Sequence, residues 1–154
     1  MNELVLNNVT FKRAVAIEPG VKAKLNKVTI DQTSATDDMY ALWISAGADV
    51  TLKDCNINSI NPTSGKLNRA IKIADEYVTN PQLTKLSVSG TTFASQKKSA
   101  VLVTTKAGAE ITWGENNDIS GCANPTVSVT VDNGAEYKDL NNVSVNGTQA
   151  PVEQ

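Results

Sequence analysis

The chain of 154 residues contains no histidine and only two cysteines. The first absence removes the side chain that most often moves protons near neutral pH and most often binds transition metals. The second excludes a disulfide framework, and two unpaired thiols fit folding in a reducing cytoplasm. Basic charge is not in excess: 14 Lys and Arg stand against 16 Asp and Glu, a net charge of −2, with no basic run. That leaves no electrostatic footprint for nucleic acid. No apolar stretch approaches the length of a membrane span. Met1-Asn2-Glu3-Leu4 offers neither a basic nor an apolar leader segment, so no secretory signal peptide is expected. Phosphate-cradling glycine loops, zinc-ligand spacings and nucleophile–base pairs are missing as well, and no cofactor or metal is expected.

Against these absences, Asn, Thr and Val occur 16 times each, while the aromatic residues are two Trp, three Tyr and two Phe. Val and Thr suit strands and Asn suits tight corners, so the composition points to β structure with many turns. The length fits one domain over residues 1–154, with 146–154 as a C-terminal tail.

One phrase recurs in register: apolar–x–x–apolar–polar–apolar. It runs Leu6 to Phe11, Leu25 to Ile30, Leu52 to Ile57, Val88 to Phe93 and Leu140 to Val145, with a looser copy from Trp113 to Ile119 that holds one extra residue. Its last apolar residues, Phe11, Ile30, Ile57, Phe93, Ile119 and Val145, are 19, 27, 36, 26 and 26 residues apart. A repeat of this length means one stacked supersecondary unit per copy, a solenoid, with loops of unequal length inserted at fixed corners.

Two further strand positions align between these anchors. One is Val15-Ala16-Ile17, Leu42-Trp43-Ile44, Ile71-Lys72-Ile73, Val101-Leu102-Val103 and Val127-Ser128-Val129. The other follows a glycine at Gly20, Gly47, Gly108 and Gly134. Three short strands per coil, each alternating in and out, predict an all-β, single-domain parallel β-helix of about six coils with irregular corner loops. It is expected to be right-handed, by the handedness of parallel crossovers. Leu6, Leu25, Leu52, Val88 and Leu140 form one predicted core column, and Ile17, Ile44, Ile73, Val103 and Val129 another. Cys55 stands where Val9 and Val28 stand in other copies and reads as a small buried hydrophobe. Cys122 falls in a Ser-Gly-Cys-Ala-Asn-Pro stretch that reads as a loop with a free thiol.

The outward positions mark a candidate interface. Strict alternation puts Ala14 and Ala16, Ala41 and Trp43, Ala70 and Lys72, and Ala100 and Leu102 outside the middle strand. The result is a flat, mostly apolar stripe of the kind that finds a partner. Trp43 is its expected anchor, with Leu102 beside it, and Lys72 asks for a partner carboxylate or a rim position. The loops 31–40 and 58–69 both follow the phrase strand and are expected at one edge, with Asp38, Met39 and Tyr40 as contacts.

The strand pattern resembles the right-handed parallel β-helix, or pectin-lyase-like, superfamily across nearly the whole chain. Enzymes of that superfamily that resemble pectate lyases hold calcium on clustered carboxylates and use an arginine or lysine as base. Those that resemble polygalacturonases use three aspartates with a histidine and an Arg-x-Lys. Here Asp37-Asp38 and the Arg69-to-Lys72 stretch are a partial echo only: the second carries an extra residue and no histidine exists. The absent catalytic set turns the expectation towards a non-enzymatic structural protein, similar to the short β-helical modules of bacteriophage virions. The expected role is head decoration or cement on a capsid, made in the host cytoplasm and carried in the virion. Its expected partners are a capsid or other virion protein and further copies of itself. A carbohydrate-binding or polysaccharide-degrading β-helix is the alternative, with a glycan as possible ligand. A cytoskeletal polymer similar to bactofilins is a second, disfavoured by the uneven coils.

Overall fold

A computed structural model describes residues 3–35, 39–61, 68–97, 99–131, 143–147 and 152–153. Among them every regular element is a strand. The first coil is β1 (Glu3–Asn7), β2 (Thr10–Phe11) and β3 (Val15–Ile17); the second is β4 (Lys22–Asn26), β5 (Thr29–Asp31) and β6 (Leu42–Ser45). The third is β7 (Asp49–Lys53), β8 (Asn56–Asn58) and β9 (Ile71–Ala74), and the fourth β10 (Thr84–Ser89), β11 (Thr92–Ser95) and β12 (Val101–Val103). The fifth is β13 (Ala109–Trp113), β14 (Asp118–Cys122) and β15 (Val129–Val131), followed by β16 (Val143–Gly147) and β17 (Val152–Glu153). Each strand pairs in parallel with its counterpart one coil away. The result is three sheets: A in the order β1-β4-β7-β10-β13-β16, B as β2-β5-β8-β11-β14, and C as β3-β6-β9-β12-β15-β17. The molecule is a parallel β-helix.

The repeated phrase acquires a physical cause at the corner between sheets A and B. In the first four coils that corner is two residues long, and its first residue is left-handed: Asn8, Lys27, Asp54 and Gly90 have φ between 52° and 59°. The corner N–H stays in the ladder, donating to the next coil: Asn8 to the Asn26 carbonyl, Lys27 to Lys53, Asp54 to Ser89 and Gly90 to Glu115, all at 2.9–3.0 Å. Such a backbone suits Asn and Gly and is uncommon elsewhere. At Gly90 a side chain would also run into the Asp54 carboxylate. Length varies instead at the other two corners. The loops 31–40 and 58–69 both run from sheet B to sheet C, one edge of the prism, and together with the sheet C–sheet A turn 75–83 they account for the uneven spacing.

Inside, Leu25, Leu52, Ile30, Ile57, Phe93, Ile44 and Ile73 are fully buried. Each such side chain removed from water contributes about 1.5–3 kcal/mol, so the stacked columns carry most of the stability. Trp113 extends the Leu6, Leu25, Leu52, Val88 column and stacks on Phe93, with ring centroids 5.4 Å apart. The extra residue of the fifth phrase lies in the corner, where the step from Val88 to Thr92 is matched by that from Trp113 to Asp118, and a register shift between Thr92 and Ala94 adds a second one within β14.

Four details depart from the sequence reading. Val129, Thr130 and Val131, rather than residues 127–129, pair with Val101, Leu102 and Val103. An even slip of two preserves the buried face, so Val129 remains inside. Val145 does not continue the Phe93 column; it pairs with Ile111 in sheet A. The glycine-corner copy at Gly134 and the core position Leu140 lie outside the described residues. Cys122 is not in an open loop: it ends β14, buried, with its Sγ 3.9 Å from the Phe93 carbonyl. Residues 146–154, read as a tail, contribute the end of β16 and, through β17, a rung of sheet C.

Candidate docking face

Sheet C sets the candidate site. Register stacks Ala16, Trp43, Lys72, Leu102 and Thr130 into one outward column. The two ends of that column differ. Leu102 is 4% exposed, and Thr130 and Ser128 are buried too. Over this end Ser99 is the hub: its hydroxyl donates to the Val101 carbonyl at 3.0 Å and accepts from Arg69 Nε at 2.8 Å and from the Thr130 hydroxyl at 2.9 Å. Arg69 is therefore spent on structure.

The alanines correct the sequence reading. Ala41, Ala70 and Ala100 are 0% exposed and belong to the core cluster. Strand alternation had been carried one residue too far: sheet C begins at Leu42, Ile71 and Val101, and the alanines sit in the preceding bend. There their carbonyls accept the N–H of Val15, Leu42 and Ile71 from the neighbouring coil, at 2.9–3.0 Å. A continuous apolar stripe that includes Leu102 does not exist.

What remains accessible is the Trp43 end. Trp43 and Tyr40 are half-buried and meet edge to face, centroids 6.2 Å apart. The Lys72 ammonium lies 4.7 Å from the Trp43 ring centroid and 5.4 Å from that of Tyr40, within cation–π range. The carboxylate that Lys72 was expected to seek on a partner is supplied by the chain itself: Glu76 Oε1 is 2.8 Å away, one helical-turn spacing on in sequence but across a turn in space. Met39 is exposed beside this cluster; Asp37 and Asp38 lie outside the described residues.

Next to the cluster the chain folds a turn in which Val78 N–H donates to the Asp75 carbonyl at 3.0 Å. The Asp75 carboxylate accepts from Lys106 N–H at 2.8 Å and from the Thr105 hydroxyl at 3.3 Å, tying the turn to the next coil. Tyr77 occupies the left-handed position of this turn, φ 69°, and is 100% exposed. A hollow of about 370 Å³ opens between these parts, lined by Trp43, Met39, Tyr77, Glu18 and Glu76 over Ala16. It exists because Ala16, in register with Trp43, leaves the space beside the indole unfilled.

Among the described residues, the carboxylates of Asp31 and Asp118 lie below the ordinary range, held by the Thr33 N–H and by the Ser120 hydroxyl and N–H respectively. A general acid needs the opposite direction. Burial pushes both cysteine thiols up, the direction of inert rather than reactive sulfur. Among the described residues no group of three or more His, Cys, Asp or Glu side chains is placed to hold a metal ion, and no helix is long and apolar enough to cross a membrane.

Of the residues named from sequence, the structure brings Trp43, Lys72, Met39 and Tyr40 together, and it adds Glu18, Glu76 and Tyr77, which the sequence reading had not placed with them. The one available signal was an aromatic residue set in a polar insertion, Asp75-Glu76-Tyr77-Val78. Compared with protein-family models, curated proteins and solved structures, the chain finds no match.

Proposed function

We propose that this chain is a non-enzymatic structural module that docks on a larger protein assembly through the Trp43 end of sheet C. The observation that carries this reading is the accessible cluster of Trp43, Tyr40, Met39 and Tyr77, fixed on a rigid three-sheet scaffold beside its longest loops. Aromatic anchors on a rigid element dominate contacts between proteins. The architecture resembles the pectin-lyase-like β-helices, and within them the short virion modules. The particular assembly proposed is therefore a bacteriophage head, on which the protein acts as a decoration or cement subunit, alone or as a homo-oligomer.

The test is Trp43→Ala, checked for folding by circular dichroism, then sedimented alone and with capsids from which the protein has been stripped. Loss of capsid binding in a folded variant is the expected result. Unchanged binding and unchanged oligomeric state would remove this face from the reading. The alternative, a carbohydrate-active β-helix, is favoured by the exposed Tyr77 ring. It predicts cleavage or binding of acidic polysaccharide, with or without calcium, and reducing ends released in an Asp38-dependent way would replace the docking reading.

A further inference from the structure

We propose that the hollow beside Trp43 receives an arginine side chain from the protein on which this chain docks, an inference that rests on the docking reading above. Its volume of about 370 Å³ lies at the small end of ligand sites, which run from about 300 to 1,000 Å³. That suits a single side chain better than an extended ligand.

The lining selects the chemistry. Among the described residues its charged groups are two carboxylates, Glu18 and Glu76, and none of the described lining residues is a cation or carries a side-chain amide. Glu76 has one oxygen engaged by Lys72, while Glu18 makes no ion pair among the described residues. Lys72 does not line the hollow, and Glu76 neutralises it, so it does not repel a second cation. An anion meets two carboxylates here and is excluded. A neutral sugar can pair with the Ser45 hydroxyl as well as with the carboxylates, but it brings no charge to balance Glu18. A guanidinium brings five donors and no acceptor, in a plane that stacks on aromatic rings and forks onto a carboxylate. Trp43 and Tyr77 supply the rings, and Glu18 the acceptor for the fork. A lysine ammonium carries the same charge, but it is compact and strongly hydrated and uses the rings less well.

Tyr77 is the independent observation. A bulky residue at φ 69° is strained where glycine would not be, and a ring that is 100% exposed gains no packing within its own chain. Strain held without an internal return points to a contact outside the molecule.

The experiment uses the full chain and two-dimensional NMR of the tryptophan indole N–H groups. Trp113 is 3% exposed and serves as the internal control for Trp43. Titration with Nα-acetyl-arginine amide should shift the Trp43 indole saturably in roughly the millimolar range, the affinity expected of one side chain. The Trp113 signal should stay still. Glu18→Gln should weaken the arginine about tenfold, the loss of one charge-assisted pair, and Tyr77→Gly should weaken it without unfolding the chain. Nα-acetyl-lysine amide should bind several-fold more weakly, and methyl glucoside and acetyl-glutamate not at all. No saturable shift with arginine, an affinity unchanged in Glu18→Gln, or tighter binding of methyl glucoside would each overturn the proposal. If capsid binding depends on Trp43 while arginine fails to bind, docking stands and the arginine assignment falls. If arginine binds but capsid binding ignores Trp43, the hollow keeps its ligand class and the docking reading falls.

Discussion

Trp43 and Leu102 occupy the same outward column of sheet C, two rungs apart, yet they live in different environments. Leu102 is sealed under its own chain, beside the Ser99, Arg69 and Thr130 network. Trp43 faces a neighbour reduced to the methyl of Ala16 and a turn that carries its aromatic ring into solvent. The difference teaches that an outward position in a β-helix is not a surface position. What covers the wall is decided by the loops that leave the corners.

The two positions should therefore respond differently to truncation. Leu102→Ala is expected to cost about 3 kcal/mol, the loss typical of a buried leucine, read as a lower urea midpoint. Trp43→Ala should cost about 1 kcal/mol, typical of a partly exposed site, and should act mainly on docking. Equal losses at both positions would dissolve the contrast. On the open side, Tyr77→Gly should raise stability by up to about 1 kcal/mol, because the left-handed backbone is relieved, as measured by urea unfolding. A loss instead would show that the tyrosine ring packs within the chain.

The smallest expected effect lies away from sheet C and serves as its control. Asp31 and Asp118 have folded pKa values below the ordinary carboxylate value, near 3.9 when unperturbed. The stability they contribute is fully present above that value and is lost as pH falls through the lowered ones. Both groups are solvated, so the effect should be slight. Asp31→Asn should flatten the fall of the urea midpoint only below about pH 4. A change in the same variant near neutral pH would mean that Asp31 supports the neighbouring loop in some other way.

Much of the fold was legible because each coil must turn the same corner. Asn8, Lys27, Asp54 and Gly90 stand at one repeated position, and the apolar residues on either side mark the ends of two sheets. The last coils were harder to read. In the fifth, Val127 and Val131 offer two registers with the same buried face, and period-two patterning cannot choose between registers that differ by an even step. The alanines failed for a related reason: Ala41, Ala70 and Ala100 obey the alternation, but the strand begins only after them. Of the site, Trp43, Lys72, Met39 and Tyr40 were readable from the outward column and its adjoining loop. Glu18, Glu76 and Tyr77 were not, since they come from two different sheet C–sheet A corners.

By itself the sequence determined the coil: the order of three strands, the inward columns, the glycine corner and the edge that carries the loops 31–40 and 58–69. These follow from local backbone preference and from apolar spacing, both of which are properties of neighbouring residues along the chain. Only the tertiary structure decided which stretches of the outer wall stay open. That depends on stacking, which sets Ala16 beside Trp43, and on whether an insertion folds back over the sheet or away from it. Such contacts join residues from different coils, and no local pattern records them.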